Sequence, residues 1–262
     1  MPLTWLDRAG SPLLALLFPD DCRLCAGPLK GFPRIPVCAS CLDAPAVNAE
    51  QHYCAACRTP FLNARPLNEQ GLCRLCAAGF TRFDAAYSYG NYHGGLHGLI
   101  HLFKYGRMRP LAAPLGRMLS SALPRDQVFD AIVPMPLHWR KLLVRGFNQS
   151  HLLAKELTRR TGIPTEPLLR RRRHTAAQAG LSSAQRRANV AGAFTAGSDA
   201  QGRRLLLVDD VFTTGATVNA AATALKRAGA ARVAILTLAR TDRLQNVRSL
   251  QSDSPSERGA TE

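Results

Sequence analysis

The stretch 204–220, RLLLVDDVFTTGATVNA, constrains this chain more than any other. Four apolar residues, 205–208, are bounded by charge and read as a buried strand. Asp209 and Asp210 follow at once, and then a run of small and hydroxylated residues, Thr213, Thr214, Gly215, Ala216 and Thr217. Beyond it, Val218, Ala221, Ala222 and Leu225 fall on one face of a helix. A strand that turns tightly into a helix N-terminus aims several free backbone N–H groups at one point. The helix dipole adds roughly half an elementary charge there. Such a turn binds phosphate: small residues admit it, and threonine hydroxyls donate to it.

The acidic pair sits at the carboxyl end of the strand, where open α/β sheets bind ligands. Carboxylates beside a phosphate cradle repel phosphate, so their natural partners are sugar hydroxyls and a hydrated Mg²⁺. Phosphate on the turn, ribose hydroxyls on Asp209 and Asp210, and magnesium nearby together describe 5-phosphoribosyl 1-diphosphate (PRPP). The competing reading is an ordinary βα unit with an N-capping threonine.

All eight cysteines fall before residue 77, as four CxxC pairs: Cys22/Cys25, Cys38/Cys41, Cys54/Cys57 and Cys73/Cys76. A CxxC turn supplies two thiolates of a zinc tetrahedron, so four pairs make two closed sites and a double zinc ribbon. Redox CxxC motifs do not come as four spaced copies. The pairs are separated by 12, 12 and 15 residues. The two equal gaps leave open which pairs share an ion, with sequential pairing the simpler choice. His52 is close to Cys54, but the cysteines already complete both sites. Between residues 19 and 80 apolar periodicity is absent, so this segment is expected to fold only with metal. Metal-binding rather than disulfide cysteines imply a reducing, cytoplasmic setting. The apolar patch 13–18 is too short to span a bilayer and reads as a docking helix rather than a signal peptide.

The rest of the chain alternates strands and helices, which indicates a mostly parallel sheet flanked by helices. Residues 84–92 read as an aromatic strand. Leu96, Leu99, Ile100 and Phe103 mark a helix that ends in Lys104 and Tyr105. A second helix is expected at 111–122, a proline-cut strand at 130–136, and a third helix at 148–161 with Leu153 and Leu157 inward. Between these last two, Arg140, Lys141 and Arg145 crowd together. Residues 165–194 are polar and basic, with arginines at 170–173. That run reads first as a solvated face and second as an anion-binding lid. A strand at 233–238 follows the central helix, and the polar tail reads as disordered. The expected organisation is a leading helix at 1–18, a double zinc ribbon at 19–80, a phosphoribosyl-binding α/β domain at 81–241 and a tail at 242–262. No repeat is visible outside the CxxC array. The formal charge is +16, from 34 basic and 18 acidic residues, which favours polyanionic partners.

Taken in order, several segments resemble the ComF family, the competence-associated phosphoribosyltransferase-like proteins of the GntX/ComFC type. They are the CxxC array; Leu99-Ile100-His101 with Lys104-Tyr105; residues 133–137, VPMPL; residues 145–149, RGFNQ; Thr175 with Gln178; Arg187 with Asn189; and residues 208–217, VDDVFTTGAT. The resemblance covers about residues 13–240. It implies a type I phosphoribosyltransferase fold behind an N-terminal zinc module, PRPP binding with Mg²⁺ and, in some members, a role in DNA uptake. By that resemblance Thr213, Thr214, Gly215, Ala216 and Thr217 hold the 5-phosphate. Asp209 and Asp210 hold the ribose hydroxyls and organise magnesium. Arg140, Lys141 and Arg145 serve the diphosphate, with Lys104 reaching the same pocket. Purine-salvage members of the superfamily carry an aspartate where this chain has Thr213, so hypoxanthine-type salvage is not implied. Two functions fit: a phosphoribosyltransferase with an unidentified acceptor, or a binding module for PRPP, nucleotides or single-stranded DNA that performs no chemistry. DNA-uptake proteins are expected partners in either case.

Overall fold

The computed structural model describes residues 21–29, 33–43, 52–58, 60–61, 64–65, 67–172 and 190–241. The expected leading helix, Arg173, the residues Thr175, Gln178, Arg187 and Asn189, and the tail lie outside them.

A four-stranded, all-parallel sheet forms the centre. Its strands are β3 (Ala85–Asn91), β4 (Ala131–Pro134), β7 (Arg204–Phe212) and β8 (Arg232–Arg240), in the order β3-β8-β7-β4. A bridge from Ile132 to Thr165 adds a short parallel segment beside β4. In β7 residues 205–208 are all buried, as their uninterrupted apolar character dictates. The strand does not stop there. Its pairing with β8 continues through Asp209↔Thr237 to Phe212↔Arg240, so both aspartates are strand residues rather than turn residues. β8 is buried from Val233 to Arg240 and supplies partners to the end, which is why β7 runs on.

Alternate strand residues point to opposite faces, and two core layers result. One face carries Ile132, Leu206, Val208 and Leu236 against the helices α3 (Gly94–Tyr105), α4 (Ala112–Ser121) and α6 (Gln149–Thr161). Leu99, Phe103, Leu115, Leu119, Leu153 and Leu157 fill that layer, as their helical spacing requires. The other face carries Ala131, Val133, Leu205, Leu207, Val233 and Ile235 against α7 (Ala216–Arg227), through Val218, Ala221, Ala222 and Leu225. A hairpin of β5 (Leu169–Arg171) and β6 (Phe194–Ala196) closes this side. A short helix the sequence pattern does not announce, α5 (Trp139–Arg145), follows β4.

The cysteine-rich segment is built of turns, the two short helices α1 (Ala39–Leu42) and α2 (Arg74–Ala77), and a two-stranded pair of β1 (His52–Tyr53) with β2 (Pro60–Phe61). It divides between the layers. Cys22, Val37 and Cys38 pack on the α3 side, and Cys54, Cys57 and Cys73 pack on the α7 side. Each ribbon therefore borrows a core from the sheet domain instead of building its own.

The helices α4 and α6 touch at Gly116, where an added Cβ would lie 2.5 Å from the Cβ of Glu156. Gly116→Ala raises helix propensity, yet it forces two backbones apart. The expected outcome is destabilisation by about 1–3 kcal/mol, read from the urea midpoint; a stabilised variant would contradict this packing.

Candidate phosphate-binding cleft and metal centres

The turn between β7 and α7 is shaped by Gly215. It is the N-cap of α7 with φ of 75°, a conformation that only glycine adopts without strain. A Cβ there would also lie 2.8 Å from the Phe212 ring. The Ala216 N–H donates to Thr214 Oγ1 at 3.4 Å. The twelve-residue α7 points its positive end into this turn.

Beside the turn, at the floor of a cleft of about 220 Å³, lie the two carboxylates. Asp210 pairs with Lys104 Nζ at 2.9 Å, and both side chains are largely buried. Asp209 Oδ1 accepts from Ser150 Oγ at 3.0 Å and from the Asp210 N–H at 2.9 Å. Asp209 is enclosed by protein yet keeps a face toward the cleft. Burial, and next the charge of Asp210, push its pKa up to about 7 against the opposing pull of Lys104, the Asp210 amide and Ser150. Burial works against the charge on Lys104, but Asp210 beside it, and then Asp209, hold its pKa above the ordinary value.

The opposite wall is cationic. Lys141 and Arg145 project from α5, and Arg171 from β5. Burial, followed by the charges of Arg171, Arg145 and Lys104, pulls the Lys141 pKa down. Arg171 is likewise lowered by burial, with Asp209 opposing. Cations crowded into a recess and repelling one another form an anion site.

The segment 145–150 assembles the corner between these walls. Gly146 ends α5 with φ of 77°. Asn148 caps α6 by accepting from the His151 N–H and anchors the start of the helix by donating to the Met135 carbonyl at 3.0 Å. Gln149 and Ser150 are thereby buried against the cleft. Gln149 Oε1 accepts from Arg145 at 3.2 Å, while its Nε2 is buried with no hydrogen-bond partner. A buried amide donor without an acceptor is costly unless a ligand supplies one.

Of the residues expected at the site, Lys104, Lys141, Arg145, Asp209, Asp210, Thr213, Gly215 and Thr217 line this cleft. Thr214 and Ala216 belong to the same turn but face a neighbouring recess toward the second ribbon. Arg140 points elsewhere: it is exposed and lies over the Trp139 ring at 5.2 Å. The arginine run divides as well. Arg170 and Arg172 are exposed, and Arg171 turns into the cleft. The sequence does not single out Ser150, names Gln149 only within the 145–149 segment, and offers Arg171 only as one of an undifferentiated run whose second reading is an anion-binding lid.

The cysteines form two groups, Cys22/Cys25/Cys38/Cys41 and Cys54/Cys57/Cys73/Cys76, each with its sulfurs within 4.8 Å of one another. Pairing is therefore sequential. Cys25 and Cys38 Sγ are 3.7 Å apart, as are those of Cys57 and Cys73. Zn–S bonds of about 2.3 Å in a tetrahedron give an S···S edge of about 3.8 Å, whereas a disulfide needs about 2.05 Å. All eight cysteines are free of disulfides. The Cys38 thiol, followed by burial, pushes Cys41 up to about 12. Four thiolates resist such crowding unless a cation sits among them, so both groups fit structural zinc. His52, exposed on β1, belongs to neither group.

Comparison with known proteins agrees with this geometry. A phosphoribosyl transferase domain model matches residues 145–254. Over 233 residues the chain is 33% identical to DNA utilization protein YhgH of Escherichia coli K12, covering 86% of this chain and 99% of that protein. Over 228 residues it is 31% identical to Competence protein F of Haemophilus influenzae, covering 83% and 90%. This chain belongs to the ComF family. A further ComF relative, Competence protein ComFC of Bacillus subtilis, is 29% identical over 219 residues, covering 80% of this chain and 86% of that protein. Among solved structures, glutamine PRPP amidotransferase from B. subtilis, complexed with ADP and GMP, is similar at 25% identity. That likeness covers 49% of this chain and 26% of the enzyme, with a TM-score of 0.35. By its matched domain the ComF chain has the phosphoribosyltransferase α/β fold, with cysteine clusters at its N-terminal end. Among its described residues, no helix is long and apolar enough to cross a membrane.

Elemental analysis of the purified protein is expected to give two zinc ions per chain. The double substitution Cys54→Ser with Cys73→Ser should remove one of them. A second expectation concerns pH. The folded chain keeps a proton on Asp209 up to about pH 7, whereas the unfolded chain releases it near the ordinary carboxylate value of 3.8. Unfolding free energy contributed by this group therefore falls as pH rises through that window. In Asp209→Asn that part of the fall should vanish, leaving a wild-type-minus-variant difference that declines between these limits and is flat above them. A pH-independent difference would exclude the buried, proton-holding state.

Proposed function

We propose that this ComF protein binds PRPP together with Mg²⁺ and transfers the phosphoribosyl group to an acceptor not yet identified. The carrying observation is that one cleft gathers a phosphate-type turn, two carboxylates and four cations, Lys104, Lys141, Arg145 and Arg171. In this reading the amides and hydroxyls of residues 213–217 take the 5-phosphate. Asp209 and Asp210 take the ribose hydroxyls, and both carboxylates suit a hydrated magnesium ion, which would neutralise diphosphate oxygens. Lys141, Arg145 and Arg171 hold the diphosphate and stabilise the charge it gains as its bond to the sugar breaks. The orphan amide of Gln149 donates to a ligand oxygen. Among the described residues lining the cleft, no histidine or further carboxylate stands ready as a base for the acceptor. A reducing, cytoplasmic location and a role in DNA uptake beside other uptake proteins accompany this reading.

A second reading, single-stranded DNA binding, has its own support. Tyr92, His97, His101 and Tyr105 form a ladder of rings along α3, with centroid spacings of 4.7, 6.1 and 4.8 Å. Arg145 caps the ladder 5.3 Å from the Tyr105 ring, and Trp139 is exposed nearby in sequence on α5. Exposed rings interleaved with arginine suit stacked bases and a phosphate backbone.

Calorimetry with PRPP and Mg²⁺ tests the first reading. Measurable affinity is expected in the wild type, weakened about ten- to hundredfold by Lys141→Ala or by Asp209→Asn with Asp210→Asn. Diphosphate release on adding candidate acceptors then distinguishes transfer from binding alone. No heat at millimolar PRPP would end the proposal. For the second reading, DNA affinity should fall steeply with salt and survive loss of the aspartates, yet weaken in His101→Ala with Tyr105→Ala.

A further inference from the structure

The second cysteine group lies against the underside of the phosphate-type turn. The link is Arg240, the last residue of β8, which is only 3% exposed. Its guanidinium lies 3.9 Å from the centroid of the Phe212 ring. It also donates to the carbonyl of Cys57, a member of the Cys54/Cys57/Cys73/Cys76 group. Phe212 is the last residue of β7, immediately before the turn, and its ring is the surface on which Gly215 rests. The contact is reinforced on either side. Phe83, just past the second group in sequence, meets the Phe212 ring edge-on at 6.0 Å. Asn219, on α7, donates to the Phe80 carbonyl at 2.9 Å and accepts from the Arg82 N–H at 2.7 Å. Among the described residues, the first cysteine group has no such route. It packs in the other core layer, where Leu24 meets α3 at Gly98.

We propose that Arg240 is a positioning residue that couples the second cysteine group to the phosphate-binding turn, so that metal in that group and an anion in the turn stabilise each other. The proposal rests on the turn being an anion site. The physical reason is charge and geometry together. Four thiolates around one Zn²⁺ carry two net negative charges, and a buried guanidinium against the Cys57 carbonyl is drawn toward them. With metal lost and the thiols protonated, that attraction disappears and the Cys54–Cys57 knuckle opens. The Cys57 carbonyl then moves away from Arg240, and the guanidinium no longer holds Phe212 against Gly215. The turn loses the floor that fixes its amides. Because coupling is reciprocal, an anion that fixes the turn must also tighten the metal.

Two measurements on the full, zinc-loaded chain test this. The first uses no ligand. Hydrogen exchange is followed at the Asn219 amide, which donates to the Gly215 carbonyl, and at the Thr241 amide, which donates to the Phe212 carbonyl. In Arg240→Met exchange at both should accelerate about tenfold, while amides of α4 and α6 stay unchanged. Arg240→Lys, which keeps a cation over the ring and a donor for the carbonyl, should restore most of the protection. If Arg240→Met does not fold, Asn219→Ala leaves Arg240 and all eight cysteines in place and should accelerate the Thr241 amide in the same way. The second measurement follows zinc release to a chromogenic chelator. PRPP with Mg²⁺ should slow one of the two release phases about tenfold, and Cys54→Ser with Cys73→Ser should remove that phase. Cys25→Ser with Cys41→Ser should leave it intact, and Arg240→Met should abolish the slowing. Unchanged exchange in both Arg240→Met and Asn219→Ala, or slowing that persists in Arg240→Met, overturns the coupling. Wild-type protein that fails to bind PRPP would overturn the substrate reading instead, and the exchange measurement would still decide the coupling.

Discussion

Two carboxylates at adjacent positions near the end of a largely buried strand repel each other, and burial limits the water that could screen them. In this fold a single lysine answers that repulsion. Lys104 reaches from the end of α3 to Asp210, while Asp209 is left to Ser150 and a backbone amide. The pair is therefore unequal: Asp210 has Lys104 as its partner, while burial and the charge of Asp210 push Asp209 toward its neutral form. This arrangement dictates the surroundings. β7 must stay paired to its last residue to carry both acids, α3 must end at the cleft to deliver Lys104, and α6 must begin there to deliver Ser150.

The two faces of the sheet divide the labour. On the α3 side helices bring charge to the acids. On the α7 side the turn and the β5–β6 hairpin border the cleft, and the second cysteine group lies beside the neighbouring recess. Each cysteine group belongs to one of these layers, so neither is an appendage. Small cysteine ribbons bury too little apolar surface to hold a position alone. Here they gain it from the sheet, and the sheet gains cover for the ends of its strands in return.

The sequence made the framework legible where one pattern had one meaning. An apolar run followed by small residues and an amphipathic helix could be little other than a strand, a turn and a helix. The 3.6-residue spacing of Leu96, Leu99, Ile100 and Phe103 named the buried face of α3 without ambiguity. Legibility ended where position depends on a partner distant in sequence. That β7 carries Asp209 and Asp210 inside its ladder depends on how far β8 extends alongside it. Four consecutive arginines read alike, and only the alternation of the short β5 strand turns Arg171 inward while its described neighbours face solvent. Gln149 and Ser150 look like ordinary polar residues at a helix start; the docking of α6 against β7 makes them part of the cleft. Equal spacing left the pairing of the cysteines open with the sequential choice the simpler one, and spatial proximity bears that choice out.

Charge balance then narrows what the cleft is built to hold. Four cations face two carboxylates, one of which tends to keep its proton, so the ligand-free recess carries a positive excess. A lone phosphate would satisfy the turn and leave Lys141, Arg145 and Arg171 still repelling one another across the gap. A neutral sugar would satisfy the acids and nothing else. A divalent cation alone would meet the acids but would be repelled by the opposite wall, and Lys104 already occupies part of its place. The complement of all these groups at once is a ligand with phosphate at one end, hydroxyls in the middle and a more highly charged phosphate group at the other, arriving with its own divalent ion. That description follows from the positions of the charges on four elements, and it is the physical content of reading this cleft as a site for PRPP.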